Sequence, residues 1–414
     1  MAGTKVRKVC LEILREWDDG TTFAEDLITR SSATISARDR ALLRTLTFGV
    51  LRNLTLLDYW IGLYRKGKLD RQTAWVLRLG VYQVMMTRVR DHAAVNETVG
   101  LARRSARGVV NAILRRVIDE RDSLQEDLED LDLGTRYSMP EFLIERWESQ
   151  FGEDAARKLC EWAQEPAPVY LRINRLKKES EQAFADTAGL EPTDQDGFYS
   201  ADPVPTNLLE AGVAYAQDPS TVGACKLLKP VAGNAVLDAC AAPGGKSVFL
   251  AELMQNQGSI TATDPSKRRL KRLKQNLDRM GVSISKCFQW EWGVKDSDDT
   301  PPFGNAGFDR VLVDVPCSNT GVLRRRVDAR WRLHDSIFEE MQRKQVAITL
   351  ECMSQVRPGG CLVYSTCSLE EEENRGVIDK VLEQSEGWEL VEERSTLPFR
   401  DGYDGAYAAL LKKR

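Results

Sequence analysis

Two cysteines in this chain stand where a parallel sheet would deliver them to one ligand crevice. Cys317 lies in Asp314-Val315-Pro316-Cys317-Ser318, and Cys367 in Ser365-Thr366-Cys367-Ser368. Each follows a short apolar run, Val311-Leu312-Val313 or Cys361-Leu362-Val363-Tyr364, that reads as a buried strand. Each is followed by polar residues leading into a helix. The loops after the strands of an open parallel sheet line its crevice. Two thiols there point to covalent chemistry, because a thiolate is a good nucleophile even as a minor population. A lone cysteine is more often a small apolar filler. A strand end with polar neighbours, met twice, favours the chemical reading.

A third segment has the composition of a cofactor loop. Leu237-Asp238-Ala239-Cys240-Ala241-Ala242-Pro243-Gly244-Gly245-Lys246-Ser247 runs from a strand into a helix. Its glycines permit a sharp turn and close approach of backbone to ligand. Gly245-Lys246-Ser247 matches the end of a phosphate-binding P-loop, but that motif needs glycine where Cys240 stands. Asp264 closes the next strand, Ile260-Thr261-Ala262-Thr263-Asp264. An acid there can accept from ribose hydroxyls; it can also cap the helix that starts at Pro265. The expected cofactor has an adenosine-like part and need carry no phosphate.

Such residues need a scaffold. From about residue 206 short apolar runs alternate with helical stretches. Strands are predicted at 235–238, 259–263, 285–288, 310–313 and 361–364, and helices at 246–256, 265–280, 335–356 and 372–385. This is a doubly wound α/β domain. Residues 4–124 read as helix throughout: Val6, Cys10, Ile13 and Leu14 keep a helical period, and Ser36-Ala37-Arg38-Asp39 has the form of a capping box. The pattern continues over 71–86, 94–106 and 109–118. An acidic stretch at 125–133, helix over 137–163, a strand at 169–173 and a basic turn at 174–178 suggest a small α+β insert. The expected domains are 1–130, 131–205 and 206–414.

Composition narrows the classes. The chain has 414 residues and a net charge of −4, yet residues 1–124 carry 22 Lys and Arg against 14 Asp and Glu, while the rest carry 36 against 48. A basic first domain on an acidic chain points to a polyanion partner. The nine cysteines form no CxxC pair, and His92 and His334 are the only histidines, so no metal site is expected. No run is long and apolar enough to span a membrane. Lys5, Arg7, Lys8, Glu12 and Arg15 leave no leader-peptide core. A reducing cytoplasm and a monomer are expected. Trp60 and Trp75 read as core, and Trp290 and Trp292 as packing beside the cofactor region.

Taken together, Cys240 to Lys246, Asp314 to Ser318, Gly321, Arg325-Arg326, Ser365 to Ser368 and Glu370 to Asn374 resemble the RNA cytosine-5 methyltransferases that use S-adenosylmethionine. Asp39 to Leu43, Phe48 to Arg52, Leu77 to Gln83, Ala94 to Val99 and Val110 to Arg115 resemble the NusB-like RNA-binding helical domain. The combination resembles the members of that family that act on small-subunit ribosomal RNA. The resemblance implies an all-α NusB-like N-terminal bundle, the small α+β insert, and a C-terminal Rossmann-like class I methyltransferase domain. It implies Cys367 as nucleophile at cytosine C6, Cys317 as the thiol for product release, and Asp314 as an acid touching base and methyl donor. It assigns Cys240, Ala241, Ala242, Pro243, Gly244, Gly245 and Lys246 to the methionine side of the cofactor and Asp264 to its ribose.

Several positions remain open. Lys246 either lowers a thiol pKa or holds Asp314. A protonated Asp314 would donate to N3 of the base. The family shows Gly-Asp near the adenine where this chain has Phe288-Gln289-Trp290-Glu291-Trp292, so Glu291 substitutes or the contact is lost. Val315, Asn319 and Val327 replace the usual Ala, Gly and Pro. RNA contact is expected at Arg324, Arg325 and Arg326, while Lys267, Arg268, Arg269, Lys271, Arg272 and Lys274 form either a second contact or a solvated face. A DNA cytosine methyltransferase would leave the second thiol idle. A non-catalytic RNA-binding assembly factor is opposed by the intact Cys317, Cys367, Asp314 and Lys246, and favoured by the altered 288–292 stretch.

Overall fold

The computed structural model describes residues 2–31, 35–65, 67–294, 300–304 and 307–414. The chain divides into two compact units: Met1–Glu165 with Leu323–Arg332, and Pro166–Val322 with Leu333–Arg414.

The first unit is helical. Its helices include Ala2–Asp19, Ala37–Arg52, Leu54–Tyr64, Arg71–Met86, Asp91–Leu101 and Arg107–Asp119. Ser36 caps the second of these by accepting from the Asp39 amide, as its sequence predicts, and Asp70 does the same for Arg71–Met86 through Thr73. Trp60 and Trp75 are each 1% exposed in a single apolar core. The predicted helix over 137–163 is two helices, Glu141–Phe151 and Glu153–Gln164, broken at Gly152, whose φ of +87° lies in the region that favours glycine.

The segment Leu323–Arg332 is part of this first unit and is held by its own polar side chains. Asp328 accepts from Trp17 Nε1 (3.0 Å) and the Ala24 amide (2.7 Å). Trp331 Nε1 donates to the Leu51 carbonyl at 2.8 Å, and Arg332 donates to the carbonyls of Gly20 and Trp17 at 2.6 and 3.0 Å.

The second unit carries two sheets. The smaller comprises β1 (Tyr170–Ile173), β2 (Leu190–Pro192), β3 (Phe198–Ala201) and β4 (Ala214–Ala216) in the antiparallel order β2-β3-β1-β4. The larger, among the described residues, comprises β5 (Ala235–Asp238), β6 (Ser259–Asp264), β7 (Ser285–Gln289), β8 (Phe308–Asp314), β9 (Val356–Thr366), β10 (Trp388–Thr396) and β11 (Ala406–Lys413), in the order β10-β11-β9-β8-β5-β6-β7. β5 through β9 pair in parallel, and β10 and β11 antiparallel. A buried pair at 2.5 Å, Arg172 on β1 with Glu252 on the helix Gly245–Leu253, ties the smaller sheet to the helix that follows β5.

The five predicted parallel strands form, each within a few residues of its expected bounds. The C-terminal hairpin is new. β10, at the sheet edge, is half polar and mostly exposed or half-buried, and β11 is alanine-rich, so neither carries the β-branched run that marks an inner strand.

The strand order reverses between β5 and β8, the switch point at which open α/β sheets bind ligands. The strands that carry all four motifs, β9, β8, β5 and β6, are consecutive neighbours. Asp314 on β8 is level with Ser365 on β9, so the loops holding Cys317 and Cys367 leave the sheet side by side.

Candidate active site

Cys317 and Cys367 meet: their sulfurs are 3.2 Å apart, within hydrogen-bonding range. Three features produce this. The equal register of β8 and β9 starts both loops together. Asn319 has φ of +65°, which asparagine tolerates. From there its amide donates to the Cys317 carbonyl at 2.8 Å, while its Oδ1 lies 3.5 Å from Cys367 Sγ. The usual glycine at this position would lack both contacts. Gly321 lets the two chains cross: its amide donates to the Cys367 carbonyl at 2.9 Å, and its carbonyl accepts from Gly405 at 2.8 Å.

A Cβ on Gly321 would fall 2.7 Å from both the Cys367 oxygen and Gly405 Cα. These are backbone atoms with no rotamer to change. Gly321→Ala is therefore expected to spread the thiol loops and destabilise the chain by about 1–3 kcal/mol, the range for overpacking. A thermal melt and thiol-labelling rates at Cys317 and Cys367 check this.

Beside the sulfurs, Asp314 accepts from Lys246 Nζ at 2.8 Å and from the Ser365 hydroxyl at 2.8 Å. Lys246 thus holds Asp314, one of the two roles left open by its sequence. Burial works against the Lys246 ammonium, but the charge and hydrogen bond of Asp314 outweigh it and raise the pKa. The Cys317 thiol is pushed well up, first by its hydrogen bond to Cys367 and then by burial.

Cys240 to Lys246 follow β5 and lead into the helix Gly245–Leu253, and Asp264 ends β6. Gly244 has φ of +110°, and a Cβ on Gly245 would meet Tyr215 at 3.0 Å and Gln217 at 3.2 Å. The Ala241 amide donates to the Thr263 carbonyl at 2.9 Å, tying the loop to the next strand. Asp264 accepts from the Ser266 amide at 2.9 Å, and its buried Oδ2 lies 3.3 Å from Arg269 without a hydrogen bond. Asp238 accepts from Ser247 at 2.6 Å, its Oδ1 is buried without a partner, and burial lifts its pKa to about 7. Burial also raises the Cys240 thiol.

The chain is similar to known proteins along its length. Residues 225–411 match the model for 16S rRNA methyltransferase RsmB/F, residues 4–119 the NusB family, and residues 139–190 the ferredoxin-like domain of RsmF/B-like methyltransferases. The chain is 32% identical over 409 residues to the probable ribosomal RNA small subunit methyltransferase B of Bacillus subtilis, covering 94% of this chain and 90% of that one. The chain belongs to the RsmB/F methyltransferase family. It is also 34% identical over 412 residues to ribosomal RNA small subunit methyltransferase B of Escherichia coli O1:K1, covering 92% of each. Among solved structures, PH0851 aligns with a TM-score of 0.77 at 25% identity over 99% of both chains. A methyltransferase homologue from Pyrococcus horikoshii aligns at 0.60 and 26% identity over 69% of this chain and 99% of that one.

Against that RsmB/F background, the remaining sequence-predicted residues are placed as follows. Ala242 accepts from Arg269 at 2.8 Å, so this arginine of the basic helix ties the helix to the Cys240–Lys246 loop, whereas Lys267, Lys271, Arg272 and Lys274 are exposed. Glu291 is exposed just beyond β7, and Trp292 is buried with its Nε1 donating to Thr263 at 2.9 Å. Arg324 is only 8% exposed; its guanidinium lies 4.0 Å from the Trp162 ring and 3.3 Å from Glu165. Arg325 is half-buried and Arg326 exposed. Sequence reasoning overlooked Asn319 as a contact of both cysteines, and Glu373, a fully buried carboxylate below them. Glu373 sits in the acidic run Glu370 to Glu373, which enters the sequence reading only as part of the segment Glu370 to Asn374, so nothing local separates it from its neighbours.

Proposed function

We propose that this chain transfers a methyl group from S-adenosylmethionine to C5 of a cytosine in small-subunit ribosomal RNA through a covalent adduct. The observation that carries this reading is the 3.2 Å approach of Cys317 and Cys367 beside the Lys246–Asp314 pair. The residues present suit the cofactor. Asp264 offers an oxygen without a hydrogen bond where a ribose would need one, the loop Cys240 to Lys246 is glycine-opened for a close ligand, and Asp238 holds a partnerless buried oxygen beneath it. Glu291 is proposed for the adenine side. When bound, S-adenosylmethionine supplies an electrophilic methyl group.

The protein's part is to make C5 of cytosine nucleophilic. Cys367 Sγ, as thiolate, bonds to C6, and the C5=C6 electron pair moves to give an enamine-like C5. Methylation follows at C5, and a base then removes the C5 proton. The S–C6 bond breaks, its electron pair returns to Cys367, and the C5=C6 double bond reforms. Cys317, kept as a thiol, donates its S–H to the departing sulfur. Asp314 already accepts on both oxygens from protein donors, so the Lys246–Asp314 pair acts as a unit. The carboxylate accepts from the exocyclic amino group, and the ammonium stabilises negative charge building on the ring. Such a base must first leave its stack, which favours a loop or single strand. Arg326 and Arg325 are proposed for the RNA backbone; Arg324 supports them from its stack on Trp162.

The test is methyl transfer by the full chain from labelled S-adenosylmethionine to purified small-subunit ribosomal RNA, free and in particles, read by nucleoside mass spectrometry and bisulfite mapping. 5-Methylcytosine at a discrete position is the expected result. Label on another base, or none with either substrate, overturns the proposal.

A further inference from the structure

We propose that Glu373 is the positioning residue that sets the separation of the two thiols, a clamp between the Pro-Cys and Thr-Cys loops. The proposal rests on the reading that both sulfurs serve one base. Glu373 is 0% exposed. Its carboxylate accepts from the Ser318 amide at 2.9 Å, from the Ser318 hydroxyl, from the Ser368 hydroxyl at 2.7 Å, and from Gln345 Nε2 at 2.8 Å. Ser318 and Ser368 are the residues immediately after Cys317 and Cys367. One side chain thus grips both loops one residue beyond each sulfur.

The chemistry of the group fits this task. An ionised carboxylate has about four acceptor sites and no donor, and here four neutral donors converge on it. A buried charge is costly unless well hydrogen-bonded, and an amide in its place offers one oxygen where Glu373 offers two. The surroundings brace the clamp. Gln345 Nε2 also donates to the Pro316 carbonyl at 3.0 Å, on the residue before Cys317. Tyr364 Oη donates to the Glu373 carbonyl at 2.5 Å, fixing its backbone against β9. The Ser318 and Ser368 hydroxyls lie 3.2 Å apart, the same spacing as the sulfurs. The negative charge of Glu373 is also among the influences that keep Cys317 protonated.

The experiment compares the full-length chain with Glu373→Gln and Ser318→Ala, in three measurements. The first is the rate at which diamide closes Cys317 and Cys367 into a disulfide, read by peptide mass mapping; two thiols are oxidised to one disulfide while the diazene is reduced to the hydrazine. The second is methyl transfer, and the third is persistence of the RNA adduct. Glu373→Gln is expected to slow closure by about tenfold or more, the equivalent of one charge-assisted hydrogen bond, and Ser318→Ala by less. Glu373→Gln should also lower turnover and lengthen the life of the adduct, since release needs Cys317 beside Cys367. Wild-type closure rates in both variants would overturn the proposal, even with activity lost. If Glu373→Gln fails to fold, an unchanged closure rate in Ser318→Ala overturns it alone. Slower closure in the variants, in a chain that methylates no RNA, would leave the clamp standing and remove the proposed reaction instead.

Discussion

A chain carrying Cys317→Ala is expected to stall as a covalent protein–RNA complex. Release requires the C6–sulfur bond to break with a proton available to Cys367, and the sulfur that stands 3.2 Å away is that of Cys317. Loss of a positioned proton donor commonly costs 10²–10⁴-fold, so turnover should fall by roughly that factor while adduct formation survives. Cys367→Ala should behave differently. Without the nucleophile C5 is not activated, no adduct forms, and transfer falls by about 10⁴-fold or more. The double variant should also form no adduct, which places the bond on Cys367. A denaturing gel with end-labelled RNA and S-adenosylmethionine separates these outcomes. An adduct in Cys367→Ala and none in Cys317→Ala would exchange the roles, giving the arrangement in which the Pro-Cys thiol attacks.

What could be read from the amino-acid sequence follows the range of the interactions involved. Arg71–Met86 is found with its predicted bounds because its stop and start are local: Asp70 caps Thr73 three residues on. The parallel strands are legible because the sheet is covered on both faces: β5 and β8 carry the apolar runs Ala235-Val236-Leu237 and Val311-Leu312-Val313, and β6 carries the β-branched Ile260, Thr261 and Thr263. The cysteine pair is legible because its two loops leave adjacent strands in equal register. The segment Leu323–Arg332 is not. It joins the first unit through contacts some three hundred residues apart in sequence, such as Trp17 with Asp328, which have no periodic signature. The arginine run 324–326 reads as a nucleic-acid contact for the same reason. Only the fold shows that Arg324 is stacked on Trp162 and ion-paired with Glu165. Glu373 is likewise defined by its partners rather than by its neighbours in sequence.

Arg330 is where the same principle has its largest consequence for stability. It is 0% exposed, and its guanidinium donates to the carbonyls of Tyr137 (3.1 Å), Ser138 (3.2 Å) and Ala163 (3.0 Å). Burial, reinforced by the nearby charge of Arg52, lowers its pKa to about 9. It remains charged at neutral pH, so the carbonyls must offset its desolvation. Arg330→Ala removes the charge but leaves a guanidinium-sized void. The Ser138 and Ala163 carbonyls lose this donor, whereas Tyr137 retains Gln164 Nε2 at 2.5 Å. An unmet buried acceptor costs about 1–3 kcal/mol, so with the cavity the expected loss is about 3–5 kcal/mol. For a unit of this size that lowers the first unfolding transition by roughly 10 °C, measurable by calorimetry on the full chain. Arg330→Met should lie closer to the parent, because it fills the volume and removes the desolvation burden while leaving the carbonyls unmet. The sign of the pH dependence gives a further check. A base whose pKa is lowered by folding makes the folded state less stable wherever it is charged. The Arg330→Met difference should therefore be smallest near neutral pH and grow in the parent's favour as pH rises through about 9. A difference independent of pH would show that the carbonyl network, rather than the cost of the buried charge, sets the stability of this segment.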